Sequence, residues 1–128
     1  MQKIEKFYYC KHCGNLVLFV EDAGVPLACC GTKMEHLVPN STDAAGEKHV
    51  PVVTIEGNTL KANVGEVTHP MADDHFIQWI YVQTERGGEI KRLTPNDSPE
   101  ALFTFGEDKP VAVFEYCNLH GLWKTDVK

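Results

Sequence analysis

The chain has no long hydrophobic run and no excess of basic residues. Its longest aliphatic stretch, residues 16–20, is far shorter than the roughly 20 apolar residues that a membrane-spanning helix needs. The first six residues lack the apolar stretch of a signal peptide, so we expect a cytoplasmic protein with no membrane partner. Lys and Arg number 12 against 18 Asp and Glu, and the resulting net charge of -6 argues against a nucleic-acid partner.

Internal repeats and low-complexity tracts are also absent from the sequence. With 128 residues, of which 43% are hydrophobic and 23% charged, the composition is ordinary for a globular protein. The length therefore predicts one domain of common size together with a small additional unit.

The five cysteines are unevenly distributed. Cys10, Cys13, Cys29 and Cys30 lie near the start, whereas Cys117 stands alone near the end. Thiols seldom pair as disulfides in a reducing compartment, so an odd number at close spacing indicates metal ligation first. The sequence predicts two metal centres of different chemistry.

Residues 1–36 are predicted to form a small metal-binding domain built on a hairpin. Ordering each residue costs about 1.5 kcal/mol, which the few apolar side chains of this segment cannot offset, whereas a structural metal contributes roughly 10 kcal/mol or more. Gly14 and Gly31 each follow a cysteine directly, which suits turns in which backbone N–H groups approach the sulfur atoms. We expect the metal to be what folds this segment.

The adjacent pair Cys29-Cys30 bears on which metal is bound. Neighbouring side chains normally point apart, so both sulfurs can bind one ion only if the backbone bends and the tetrahedron is distorted. An ordinary zinc ribbon has two C-x2-C loops instead, and this departure favours iron, with structural zinc or a disulfide as the alternative. His12, inside the first loop, is expected to be a solvated side chain because four cysteines already complete the ligand shell.

Residues 37–46 change to small and turn-forming types, which predicts a linker, and residues 47–128 are predicted to form the second domain. Trp79 and Trp123 are interpreted as core residues of this domain. Its short β-rich runs at regular spacing indicate a seven-stranded antiparallel sandwich. The predicted strands are 50–55, 59–64, 76–83, 90–93, 101–105, 111–116 and 122–127.

Candidate ligands of the second centre lie in the loops and at the strand ends of this sandwich, where side chains from one end can converge. A single histidine is more often a surface or core residue than a ligand. Several histidines together with one unpaired thiol make a stronger candidate. The candidates are His49, His69, His75, Cys117 and His120.

These motifs, in this order, resemble the desulfoferrodoxin family of two-iron superoxide reductases along the whole chain. Their combination is far more specific than any one of them. The segments that carry the resemblance are the Cys-x2-Cys-Gly and Cys-Cys-Gly motifs, residues 47–51, residues 69–71, residues 75–79 and residues 117–124.

The resemblance implies a desulforedoxin-like domain in which the four N-terminal cysteines hold a distorted tetrahedral iron. It implies an immunoglobulin-like sandwich with a second iron bound by four equatorial imidazoles, those of His49, His69, His75 and His120. Cys117 would be the axial thiolate, and the sixth position would stay open for a small oxygen species. The family resemblance also implies a homodimer.

The activity implied is one-electron reduction of superoxide to hydrogen peroxide without oxygen release, in defence against oxidative stress. A rubredoxin-like electron donor would restore the reduced state. Glu47 resembles the residue that closes the sixth position in the oxidised resting state, and Lys48 is the best candidate for attracting the anionic substrate.

A competing hypothesis is a non-catalytic electron carrier or a structural zinc protein. In that case the N-terminal centre would perform the function, and Cys117 would be a buried thiol. Metal content separates the two hypotheses, since two irons per chain support the reductase and one zinc supports the alternative.

Overall fold

The computed structural model describes residues 4–40, 49–65 and 70–127. The chain divides between Val38 and Pro39 into two compact units. Strands, turns and bends account for all regular structure in the described ranges, which contain no helix, and the predicted mainly β fold class is confirmed. A helix capable of crossing a membrane is likewise not found in those ranges.

The first unit is a pair of small antiparallel sheets. The strand order is β2-β1-β5 in one sheet, while β3 and β4 form a separate hairpin. Few apolar side chains are buried in this unit, chiefly Phe7 and Met34, as expected for a fold that depends on a metal. Its strands are β1 (Phe7–Tyr9), β2 (Leu16–Leu18), β3 (Ala28–Cys29), β4 (Thr32–Lys33) and β5 (Glu35–Leu37).

The second unit contains two antiparallel sheets, one with three strands and one with four within the described residues. The orders are β10-β7-β6 and β12-β11-β8-β9. The strands are β6 (Pro51–Glu56), β7 (Thr59–Val64), β8 (Ile77–Thr84), β9 (Gly88–Arg92), β10 (Glu100–Thr104), β11 (Pro110–Cys117) and β12 (Gly121–Asp126).

One hydrophobic core joins residues of both sheets. In β7 and β10 every second side chain is buried, so Leu60 and Phe103 are fully enclosed while their neighbours are more exposed. Nearly every residue of β8 is buried, which explains why its sequence alternates imperfectly. The core includes Leu60, Ala62, Val64, Ile77, Ile80, Val82, Ala101, Phe103, Val113 and Cys117.

The strand ends predicted for the second domain agree with the observed ends of β6 to β12 to within about two residues. Within the predicted linker, Leu37 belongs to β5 and Asn40 forms a bridge with Trp123. Residues 41–46 lie outside the described residues. The domain boundaries 1–36, 37–46 and 47–128 stay a prediction.

Candidate metal centres

The four N-terminal cysteines form one cluster. Their sulfur atoms all lie within 4.8 Å of one another, and Cys13 Sγ is 3.6 Å from Cys29 Sγ. A tetrahedral ion with metal–sulfur distances of about 2.3 Å separates its ligand atoms by about 3.8 Å. The sequence prediction of a four-cysteine site therefore matches the geometry. His12 is exposed, as expected.

A left-handed turn lets both adjacent cysteines face the same point. Cys30 has φ 53° and Gly31 has φ 75°, and these two residues connect β3 to β4. Positive φ at both central residues is the pattern of a type I′ hairpin turn. Cys30 is the only residue other than glycine with positive φ in the described ranges, and such a conformation costs about 1–2 kcal/mol. The bend that the adjacent pair requires is present.

Hydrogen bonds within this cluster shift the pKa values of its thiols in opposite directions. The backbone N–H of Cys13 lowers the pKa of Cys10 to about 6. Hydrogen bonds with the Cys13 side chain, and to a lesser degree with the Cys10 side chain, raise the pKa of Cys30 to about 12. A hydrogen bond with the Cys10 side chain also raises the pKa of Cys29. Four such sulfurs cannot all ionise at neutral pH without nearby positive charge, which a bound cation supplies.

The second cluster joins distant parts of the chain. His49, His75, Cys117 and His120 place one donor atom each within 4.8 Å of one another. His49 Nε2 lies 3.0 Å from His120 Nδ1, and Cys117 Sγ lies 3.7 Å from the same nitrogen. Neighbouring ligands of an octahedral ion with metal–nitrogen distances of about 2.1 Å are about 3.0 Å apart. Three imidazoles and a thiol at these distances fit a transition metal such as iron.

The hairpin between β11 and β12 supplies two of these side chains. Cys117 pairs with Gly121 at the end of the ladder, and Gly121 has φ 84°, so the loop 118–120 turns sharply and returns His120 towards Cys117. The register of β11 against β8 shifts between Tyr116 and Cys117. Such irregularities redirect side chains, and they occur often beside active sites.

The four residues of the second cluster differ widely in solvent exposure. Cys117 is fully buried in the hydrophobic core and His49 is almost fully buried, whereas His75 is half-buried and His120 is exposed. The Cys117 sulfur therefore lies in a dry environment, and of the three imidazoles beside it only that of His120 belongs to an exposed residue. Among these four residues, the exposed His120 marks the side from which a small solute can approach.

Trp123 is buried, as its assignment to the core predicted, and it also contacts this cluster. Its indole stacks on His49 with centroids 4.8 Å apart and 14° between planes, and its Nε1 donates a hydrogen bond to His120 O at 3.1 Å. Trp79 is buried and stacks on Tyr116 instead. Nothing in the sequence around Trp123 shows the stack, because His49 is far away along the chain.

Three predicted site residues, Glu47, Lys48 and His69, lie outside the described residues. The structure therefore brings together three of the four predicted histidines and the predicted thiol. Their role as iron ligands stays a prediction.

The sequence is similar to those of known proteins. The sequence profile of the Desulfoferrodoxin family matches residues 41–126. A desulfoferrodoxin from Nitratidesulfovibrio vulgaris is 45% identical over 121 residues, covering 94% of this chain and 95% of that protein. A superoxide reductase from Pyrococcus horikoshii is 36% identical, covering 69% of this chain and 92% of that one.

A solved structure agrees over almost the whole chain. The crystal structure of the superoxide reductase from Treponema pallidum superposes with a TM-score of 0.84 at 31% identity, covering 96% of this chain and 98% of that one. Both the sequence match to the desulfoferrodoxin and the structural match extend over the four-cysteine unit as well as the sandwich. This chain belongs to the desulfoferrodoxin family.

Proposed function

We propose that this protein is a superoxide reductase, which reduces superoxide to hydrogen peroxide without releasing oxygen. The observation that carries the proposal is the fully buried thiol of Cys117 beneath imidazoles whose outer member, His120, is exposed. Relatives that are 36% identical and a structural neighbour at TM-score 0.84 are superoxide reductases, which supports it.

His49, His75, His120 and Cys117 would hold the catalytic iron, with His69 as a fourth imidazole outside the described residues. Iron bound there would supply one electron, so that with two protons from solvent each superoxide would yield one hydrogen peroxide. The Cys117 thiolate would donate electron density to such a cation. Its burial keeps water away from the sulfur and strengthens this interaction.

Glu47 and Lys48 complete the proposed site. They are the two residues that precede His49 in the sequence. The Lys48 ammonium would attract the superoxide anion in a protein whose net charge of -6 otherwise repels it. The Glu47 carboxylate would occupy the open position in the oxidised resting state.

We assign the N-terminal cluster to a second iron, bound by Cys10, Cys13, Cys29 and Cys30. The strained Cys30 turn distinguishes this site from a ribbon with two C-x2-C loops, although zinc also accepts four thiolates. The family resemblance further supports a homodimer, a rubredoxin-like electron donor and a cytoplasmic location. A non-catalytic carrier or structural zinc protein would leave the histidine cluster without a role.

Reaction stoichiometry tests the activity. We expect two irons per chain and a visible thiolate-to-iron band of the second centre that appears only on oxidation. The reduced protein should give one hydrogen peroxide for each superoxide consumed and no oxygen. A ratio of one peroxide per two superoxides, with oxygen evolved, would identify dismutation instead. One zinc per chain and no colour would support the structural alternative.

A further inference from the structure

The segment between Met71 and Ile77, which carries His75, is not part of either sheet, and local bonds close it into a tight turn. Ala72 and His75 exchange two backbone hydrogen bonds, at 2.9 Å from Ala72 N to His75 O and 3.1 Å from His75 N to Ala72 O. Met71 Sδ accepts a hydrogen bond from Ile77 N at 3.4 Å. These bonds shape the turn but do not fix its position relative to Cys117.

Three hydrogen bonds from Asn118 connect this turn to the strand end that carries Cys117. Its Oδ1 accepts from Phe76 N at 2.9 Å, and its Nδ2 donates to Asp74 O at 3.0 Å. Its backbone N donates to Phe76 O at 3.2 Å. The side-chain amide thus binds the peptide groups on both sides of His75.

We propose that Asn118 is a positioning residue that holds the His75 imidazole at the second metal centre. Asn118 directly follows Cys117, so one residue connects the strand end that carries the thiol to the turn that carries the histidine. The inference rests on the proposed function only in taking this cluster as a metal centre. Outer partners that orient ligands in this way typically change metal affinity by 10–100-fold when removed.

The chemistry of the side chain explains why an amide is required. The turn presents one N–H and one C=O to Asn118, so the side chain must accept and donate at once. A carboxylate can accept from Phe76 N but is repelled by Asp74 O. Alanine makes neither bond. Because Asn118 is only half-buried, water can satisfy the released groups, and we expect the loss to affect geometry more than folding.

Asn118→Ala and Asn118→Asp test the proposal in the full iron-loaded chain. We expect iron affinity at the second centre, measured by chelator competition, to fall about tenfold or more in the alanine variant. The oxidised-state band of that centre should shift or broaden. The absorption of the four-cysteine centre in the same molecule should stay unchanged, which provides an internal control. Asn58→Ala, in the turn between β6 and β7, is the matched control and should alter neither centre.

Unchanged affinity and an unchanged band in Asn118→Ala would overturn the proposal, whatever the change in melting temperature. Should that variant fail to fold, the same two readouts on Asn118→Asp decide the question. Failure of the proposed function would give another result: the wild-type protein would bind iron with the expected band but would not reduce superoxide. In that case the affinity loss in the Asn118 variants would still support the positioning role.

Discussion

The indole of Trp123 lies nearly parallel to the imidazole of His49, with centroids 4.8 Å apart and 14° between the planes. The same indole donates a hydrogen bond to the backbone oxygen of His120 at 3.1 Å. One side chain therefore restrains two candidate ligands in different ways, His49 through its ring and His120 through its backbone oxygen.

Trp123→Phe and Trp123→Ala should separate these two restraints. Phenylalanine keeps a ring against His49 and loses one hydrogen bond, so stability should fall by about 1 kcal/mol with little change in iron affinity. Alanine removes the ring as well, which should cost about 3–5 kcal/mol and lower iron affinity at the second centre about tenfold. Thermal unfolding and chelator competition measure both effects.

Trp79→Phe is the control for this comparison, because Trp79 is similarly buried but stacks on Tyr116. It should lower stability and leave iron affinity unchanged. Equal iron affinity in wild type and Trp123→Ala would show that the stack plays no part in holding His49.

Cys117→Ser should abolish superoxide reduction and remove the oxidised-state band of the second centre. Serine has nearly the same size, so the fully buried position should still be filled and the sandwich should fold. The other four thiols belong to the N-terminal cluster and so are not available to replace the Cys117 sulfur. Retention of the band in the serine variant would disprove the thiolate assignment.

Cys13→Ser should disturb the N-terminal iron and leave the reaction with superoxide largely intact. Cys13 is an exposed member of the four-cysteine cluster, and the two ligand clusters share no residue. Pulse radiolysis measures the superoxide step, and the visible spectrum reports the four-cysteine centre. Loss of the superoxide step in this variant would contradict independent action of the two centres.

Residue spacing was sufficient to predict much of this architecture. The predicted strand 59–64 coincides with β7, and Cys117 and His120 lie on one hairpin, as the short interval between them indicates. The alternation of apolar and polar residues and the presence of turn residues are local signals, because each can be read from a few consecutive positions of the sequence. The fold class depends mainly on such signals, whereas the full ligand set of the second centre was implied by the family resemblance.

Long-range contacts and local strain could not be predicted in the same way. The stack of Trp123 on His49 joins residues that are distant in sequence, and the strand pattern alone led us to assign Trp123 to the core. The bonds from Asn118 to Asp74 and Phe76 exist only once two loops meet. The adjacent cysteines required a bent backbone, but the left-handed φ of Cys30 is a detail that only the structure provides.

Gly31→Ala should destabilise the N-terminal centre through backbone strain. Gly31 has φ 75°, and a Cβ there meets no other atom within 4 Å, so strain of about 1–2 kcal/mol is the expected cost. Because the neighbouring Cys30 must face the metal, the strain should also increase the rate at which a chelator removes iron. Gly24→Ala, with φ 83° and open space, introduces similar strain away from the cysteines. Equal rates of iron loss in the two variants would contradict a special role of the Cys30-Gly31 turn.

Lys48→Ile should slow the bimolecular reaction with superoxide about tenfold or more and weaken its dependence on ionic strength. A cation about 5 Å from the incoming anion contributes roughly 3 kcal/mol at an effective dielectric constant of ~20, an upper value that water and salt reduce. Glu47→Ala should leave this first step nearly unchanged and alter the spectrum and exogenous-ligand binding of the oxidised state.

Lys109→Ile is the matched control, since it removes the same charge from the residue just before β11, at the strand end away from Cys117. A strand rises about 3.3 Å per residue, so Lys109 lies roughly 26 Å from Cys117, beyond the Debye length of about 10 Å at 0.1 M salt. Pulse-radiolysis rates across a salt series should therefore separate the two lysine variants, with Lys109→Ile close to wild type. Equal rates in wild type and Lys48→Ile would show that the metal alone attracts superoxide, and equal slowing in both variants would assign the effect to net charge rather than to Lys48.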